Sequence, residues 1–146
     1  MTTFRKVADG FYVAPQLEPE DFAEAAAMGI RTVINNRPDG EAPDQLSDAE
    51  ARAAAAAQGM AYVHLPVVSG GLRPDHIARM RAAIAENDGP FVAYCRSGTR
   101  SCHLWALAEA QSHDPDELIA AAAGAGYDLH GMRPLLKELR QQGGGS

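Results

Sequence analysis

Apolar residues along the chain fall into short uninterrupted runs, separated by stretches in which they recur every three or four positions. That is the alternation of strand and helix. Phe4–Val7 and Phe11–Ala14 flank Asp9-Gly10 and predict two short strands around a hairpin-like turn. Pro15 ends the second strand, and Glu18-Pro19-Glu20-Asp21 opens a helix through Phe22, Ala25, Ala26 and Met28 that stops at Gly29. Ile30–Asn35 is β-branched and apolar enough for a sheet interior. The loop from Asn36 to Glu41 is dense in turn residues. Ser47 with Glu50 forms a capping box before an alanine-rich helix that ends at Gly59. Strand Ala61–Pro66 follows, then a loop from Val67 to Leu72. A helix from Pro74 to Glu86 carries Ile77, Met80 and Ile84 at helical spacing. Asn87-Asp88-Gly89-Pro90 breaks it. Strand Phe91–Tyr94 then runs into Cys95, and a helix after Ser101 carries Leu104, Trp105 and Leu107 to about Ser112. Asp114-Pro115-Asp116-Glu117 starts a further helix ending near Gly124 and Gly126, and a last one covers about Met132 to Gln142.

Strands that alternate with helices predict βαβ units, hence an α/β fold with a central, mainly parallel sheet flanked by helices. Residues 1–142 read as a single domain, and Gly143 to Ser146 as a flexible tail. Parallel sheets bind ligands beyond the C-terminal ends of their strands. The Arg37 loop, the Val67–Leu72 loop and the Cys95 loop are all expected on that one edge.

Composition narrows the function classes. The chain has 146 residues, a formal net charge of -6 and a pI near 5.3, which argues against the basic footprint of a nucleic-acid binder. Its apolar runs fall far short of a membrane span, and the first residues lack the apolar core of a signal peptide, so a soluble cytoplasmic protein is expected. Two cysteines, Cys95 and Cys102, make no disulfide framework. The five histidines show no metal-ligand spacing, and no metal or cofactor is expected.

The chemistry concentrates in Cys95-Arg96-Ser97-Gly98-Thr99-Arg100-Ser101. A cysteine between a buried strand and a helix start faces helix N–H groups, which favour the thiolate and bind anions. Ser97, Gly98 and Thr99 are short or permissive, so their N–H groups can curl around one anion. Gly98 removes the penalty for a positive φ at the tight point. Arg100 is placed to clamp two oxygens with its guanidinium, beside the second cation Arg96, and Ser101 is placed to donate to the Cys95 sulfur. A lone cysteine here would read as a packed structural residue; the added glycine and arginines favour function.

This heptad resembles the active-site loops of rhodanese-type sulfurtransferases and of cysteine-dependent phosphatases. The chain to about Leu107 resembles one family more closely: the phosphatase-like domain of beta-lactamase-hydrolase-like proteins. The matching residues are Phe11–Gln16, Ile34–Glu41, His64–Val67 and the Cys95 loop. The resemblance implies a tyrosine-phosphatase-like fold. Some members carry a fused metallo-hydrolase domain of the persulfide-dioxygenase kind, which implies a partner of that type; no His-x-His-x-Asp-His run occurs here.

Two departures from the phosphatase pattern favour sulfur over phosphate. Phosphatases separate Cys from Arg by five residues, usually after a His; here only residues 96 to 99 intervene, Tyr94 precedes, and Ser101 stands where the phosphatase arginine would fall. That spacing is the rhodanese one. Phosphatases also use an Asp acid on a loop roughly thirty residues upstream to protonate the leaving alkoxide. The corresponding Pro66 to Gly71 has no acid, and Asp75 beyond it reads as a helix cap. The expected activity is therefore transfer of sulfur from thiosulfate or a persulfide, through a Cys95 persulfide, to a thiol such as glutathione. The alternatives are a cysteine-dependent phosphatase and, outside catalysis, a redox or persulfide sensor with a Cys95–Cys102 disulfide. Arg37 is expected to bind the substrate anion or orient the Cys95 loop with Asp39 fixing it, or else to lie on a solvated turn. Cys102 and Trp105 read as packed core, and His64 as a satisfied histidine.

Overall fold

A computed structural model of the chain describes residues 3–144. Five strands form one sheet: β1 (Arg5–Ala8), β2 (Phe11–Ala14), β3 (Thr32–Asn35), β4 (Ala61–His64) and β5 (Phe91–Tyr94). Their order is β1-β2-β5-β3-β4. Only β1 runs antiparallel, joined to β2 by the expected turn at Gly10 (φ 78°); β2, β5, β3 and β4 are mutually parallel. The expected fold class is therefore found, with β5 at the centre of the sheet.

Among the described residues, six α-helices pack on the two faces: α1 (Pro19–Ala27), α2 (Asp48–Ala57), α3 (Pro74–Glu86), α4 (Thr99–Glu109), α5 (Pro115–Gly124) and α6 (Arg133–Gly144). The two-residue period of the strands divides the core accordingly. Phe11, Val13, Ile34, Phe91 and Ala93 meet Met80, Leu104, Trp105, Leu118 and Leu136 from α3 to α6. Val33, Val92 and Tyr94 turn the other way, onto Phe22, Ala25, Ala51 and Ala55 from α1 and α2. The alanines of α2 thus supply a flat face that lets the helix lie close on the sheet.

Most helix starts follow the expected chemistry. Ser47 Oγ accepts from the Glu50 N–H at 3.1 Å and Glu50 returns the contact, completing the capping box. Asp75 does not cap α3: Arg73 occupies that position, its N–H donates to His76 Nδ1 at 3.0 Å, and Asp75 pairs with the Arg73 side chain. The last helix runs to Gly144, two residues past its expected end, and the remainder of the expected tail, Gly145 and Ser146, lies outside the described residues.

The difference that matters most is at α4. The sequence predicts its start after Ser101, yet the helix begins at Thr99, with Gly98 as its N-cap in the left-handed conformation (φ 92°). Glycine reaches that conformation without steric cost and so turns the chain into the helix early. Arg100 and Ser101 consequently leave from the first helical turn rather than from the loop.

Candidate active site

Because β2, β3, β4 and β5 are parallel, their following loops gather on one edge of the sheet. Hydrogen bonds between them show the convergence directly. The Gln16 N–H after β2 donates to the Arg96 carbonyl at 3.4 Å, the Asn36 N–H after β3 to the Tyr94 carbonyl at 2.9 Å, and the Val67 N–H after β4 to the Asn36 carbonyl at 3.0 Å. The three loops expected on one edge are found there, and the loop after β2 joins them.

Cys95 lies at the end of β5, fully buried. The Gly98 N–H donates to its sulfur at 3.1 Å. The left-handed Gly98 is what turns that N–H inward, so the glycine has the expected role. A Cβ there would collide with the Tyr127 hydroxyl and lie 3.3 Å from the Ala14 carbonyl carbon. The hydroxyls of Ser97 and Thr99 pair with each other at 3.0 Å on the outside of the loop. Beside it opens a cleft of about 410 Å³, walled by Val67, Val68 and Leu72 on one side and by Arg96, Thr99, Arg100 and His103 on the other. Arg96 is exposed on its rim.

Arg100 is engaged by protein partners, Glu41 foremost, and its charge also faces Cys95. Its Nη1 donates to Glu41 Oε2 at 2.8 Å and to the Val67 carbonyl at 2.7 Å, and its Nη2 donates to Glu41 Oε1 at 2.8 Å. Glu41 Oε1 also accepts from Arg37 Nε at 2.9 Å. One carboxylate therefore ties two arginines together. The hydrogen bond from Arg100, reinforced by Arg37, holds the Glu41 carboxyl below the usual carboxylate range against the opposing effect of partial burial. The Glu41 contact first, and then the charge of Cys95, hold the Arg100 guanidinium more firmly in its charged form.

Three expected contacts are corrected. Ser101 does not donate to the Cys95 sulfur: its hydroxyl, buried in the first turn of α4, donates to Asn36 Oδ1 at 2.8 Å. Asp39 does not fix Arg37: its Oδ1 accepts from the Asp48 N–H at 2.7 Å, at the start of α2. Arg37 is no solvated turn residue: it is 4% exposed, bonded to Glu41 and, through Nη1, to Gln16 Oε1 at 2.9 Å.

Other assignments hold. Cys102 is buried in the core, and burial, with the nearby Cys95, pushes its thiol up to about 12. Neither cysteine is in a disulfide. His64 is satisfied, with Nε2 3.0 Å from the Arg37 carbonyl oxygen and Nδ1 3.4 Å from Asp48 Oδ1. Tyr94, at the position where phosphatases usually carry a histidine, packs edge-on against Phe22 in the core. His103 escaped the sequence reading, although it follows Arg100 by one helical turn; burial lowers its pKa and favours the neutral imidazole. Glu41 and Gln16 were visible only as parts of matching stretches.

A family profile for the phosphatase-like domain of the beta-lactamase hydrolase-like protein matches residues 3–112. The chain belongs to this family. A beta-lactamase hydrolase-like protein of Xylella fastidiosa is 35% identical over 119 residues, covering 80% of this chain, and one of Agrobacterium fabrum is 35% identical over 105 residues, covering 72%. The chain spans about a quarter of these relatives' length, 28% and 24%. Among solved structures, a candidate phosphatase of Neisseria meningitidis is 33% identical, covers 93% of this chain and 97% of its own, and superposes with a TM-score of 0.82. The kinase associated phosphatase, solved with its catalytic-site cysteine replaced by serine, shares the fold at 14% identity, with a TM-score of 0.72 over the whole of this chain and 97% of its own. The domain thus has a tyrosine-phosphatase-like α/β fold.

Proposed function

We propose that this domain carries a sulfur atom on Cys95. The observation behind this reading is the state of Arg100: separated from Cys95 by four residues, it emerges from α4 and is bound to Glu41 and the Val67 carbonyl rather than encircling a phosphate-sized cradle. The cleft supports it further, because the loop from Val67 to Leu72 offers no carboxylic acid to protonate an alkoxide. Glu41, the carboxylate nearest in the hydrogen-bonded network, is held ionised by two arginines and is a poor proton donor. Sulfite is a good leaving group and needs no acid.

In the first step the Cys95 thiolate attacks the outer sulfur of thiosulfate. A bond forms between the two sulfurs, the bond to the sulfonate breaks, and its electron pair leaves with sulfite. In the second, a thiolate such as that of glutathione attacks the outer sulfur of the Cys95 persulfide and leaves as a new persulfide, restoring Cys95. Arg96, exposed on the rim, draws in the anionic donor, and the neutral His103 is placed in the cleft to take the acceptor's proton. A persulfide donor and a persulfide-dioxygenase-type partner suit the same cycle.

The second reading is a cysteine-dependent phosphatase, and a specific observation favours it: the family is described as phosphatase-like and the similar structures are phosphatases, while none of those cited is named as a sulfurtransferase. The two readings part in one paired assay. Thiosulfate should add one sulfur to Cys95, seen by mass, and release sulfite in a Cys95-dependent cycle with thiols. Absence of both, with aryl-phosphate hydrolysis lost in Cys95→Ser, would establish the phosphatase instead.

A further inference from the structure

The family profile ends at residue 112, yet a residue well beyond it touches the cysteine loop. Tyr127 follows α5, and its hydroxyl donates to the Ser97 carbonyl at 3.3 Å. That carbonyl belongs to the same peptide group as the Gly98 N–H, which donates to Cys95 Sγ at 3.1 Å. The two ends of one peptide are thus held from opposite sides, by Tyr127 and by the catalytic sulfur. Hydrogen bonds in such a chain polarise one another, so a donor on the carbonyl strengthens the N–H as a donor to sulfur.

Tyr127 is itself fixed. Arg5 Nη1 on β1 donates to the Ala125 carbonyl at 3.0 Å, and the Arg5 guanidinium lies 6.0 Å from the centre of the Tyr127 ring. Gly126 between them has φ 95°, and a Cβ there would lie 3.0 Å from Arg5 Nη1. The hydroxyl fills the space above Gly98 that any larger residue would need. We infer that Tyr127 is a positioning residue for the nucleophile: it holds the Ser97–Gly98 peptide in the orientation that aims its N–H at Cys95. The segment after α5 therefore completes the active loop as well as covering the sheet.

This inference rests on Cys95 being the reacting group and not on which group it carries. The test is alkylation of the full chain by iodoacetamide as a function of pH, read by mass at Cys95, for wild type, Tyr127→Phe and Tyr127→Leu. Cys102, whose thiol is pushed up to about 12, serves as the internal unreactive site. Besides the Gly98 N–H, the groups facing the sulfur are Arg100 and Cys102 from α4 and Tyr127 itself; all but the last are common to the three proteins. Because Cys95 is enclosed, the plateau rate reports access, whereas the position of the profile along the pH axis reports the donor. The profile of Tyr127→Phe should move to higher pH by about 0.3–1 unit, with melting temperature near wild type, and that of Tyr127→Leu at least as far. A folded Tyr127→Phe protein whose profile superposes on wild type overturns the inference alone. A wild-type Cys95 that resists alkylation at every pH overturns the nucleophile reading and this inference with it.

Discussion

Glu41 grips Arg100 with both carboxylate oxygens at 2.8 Å, across 59 positions of sequence, while the same carboxylate holds the buried Arg37. The arrangement links the loop after β3 to the first turn of α4 and neutralises part of the site's positive charge. Glu41→Gln keeps one acceptor and removes the charge. It should cost about 1–3 kcal/mol of stability, because two charged donors lose their anionic partner. Freed of that partner, the arginines should bind an anionic donor better, so that on the proposed sulfur-transfer reading KM for thiosulfate falls by about 1.5- to fivefold, the range of a partly exposed ion pair. Thermal melts and steady-state kinetics on the same preparations check both arms.

The same contact has a pH signature. The folded-state pKa of Glu41 is depressed, chiefly by its hydrogen bond from Arg100. A depressed carboxyl adds stability that is fully present above its unfolded value and is lost as pH falls through the lower folded value. Wild type should therefore lose stability on the acid side, below the ordinary carboxylate range, more steeply than Glu41→Gln. Equal acid limbs in denaturant titrations of the two proteins would show that the pair contributes nothing to folding.

How far these features could be read from the chain depends on their reach. Strands β2 and β5 have the limits predicted from Phe11–Ala14 and Phe91–Tyr94, because a short apolar run bounded by turn residues is a local signal. The convergence of the three loops followed from parallel topology alone. Partners were another matter. Asp39 is closest to Arg37 in a charge-pair reading of the sequence, but Pro38 and Gly40 (φ 81°) turn the loop so that Glu41 meets the guanidinium and Asp39 meets α2. Ser101 looks toward Cys95 when the helix is placed after it; the actual start at Thr99, after Gly98, sends its hydroxyl to Asn36 instead. Tyr127 reaches Ser97 across 30 residues, and no periodicity encodes such a contact.

Ser101→Ala tests the corrected role of that hydroxyl. Both Ser101 and Asn36 are fully buried, and Asn36 spends its amide N–H on the Leu65 carbonyl at 3.1 Å, so Oδ1 depends on Ser101 for its donor. Leaving that oxygen unpaired should cost about 1–3 kcal/mol. The melting temperature should fall, while the pH profile of Cys95 alkylation keeps its position. A displaced profile would mean that the hydroxyl reaches the sulfur after all.

Gly98→Ala should be destabilising for two separable reasons. At φ 92° any residue with a Cβ is strained by about 1–2 kcal/mol. The added methyl also meets the Tyr127 hydroxyl and crowds the Ala14 carbonyl, which typically adds about 1–3 kcal/mol. Relief of either pulls the Gly98 N–H away from Cys95, so Cys95-dependent activity should fall together with stability. Combining Gly98→Ala with Tyr127→Phe removes the collision with the hydroxyl and leaves the backbone strain. The double variant should therefore be more stable than the sum of the two single effects implies, without returning to wild type. Strict additivity in denaturant melts would place Tyr127 out of contact with Gly98 in solution, and the positioning of the cysteine loop would then rest on the backbone of residues 95–98 alone.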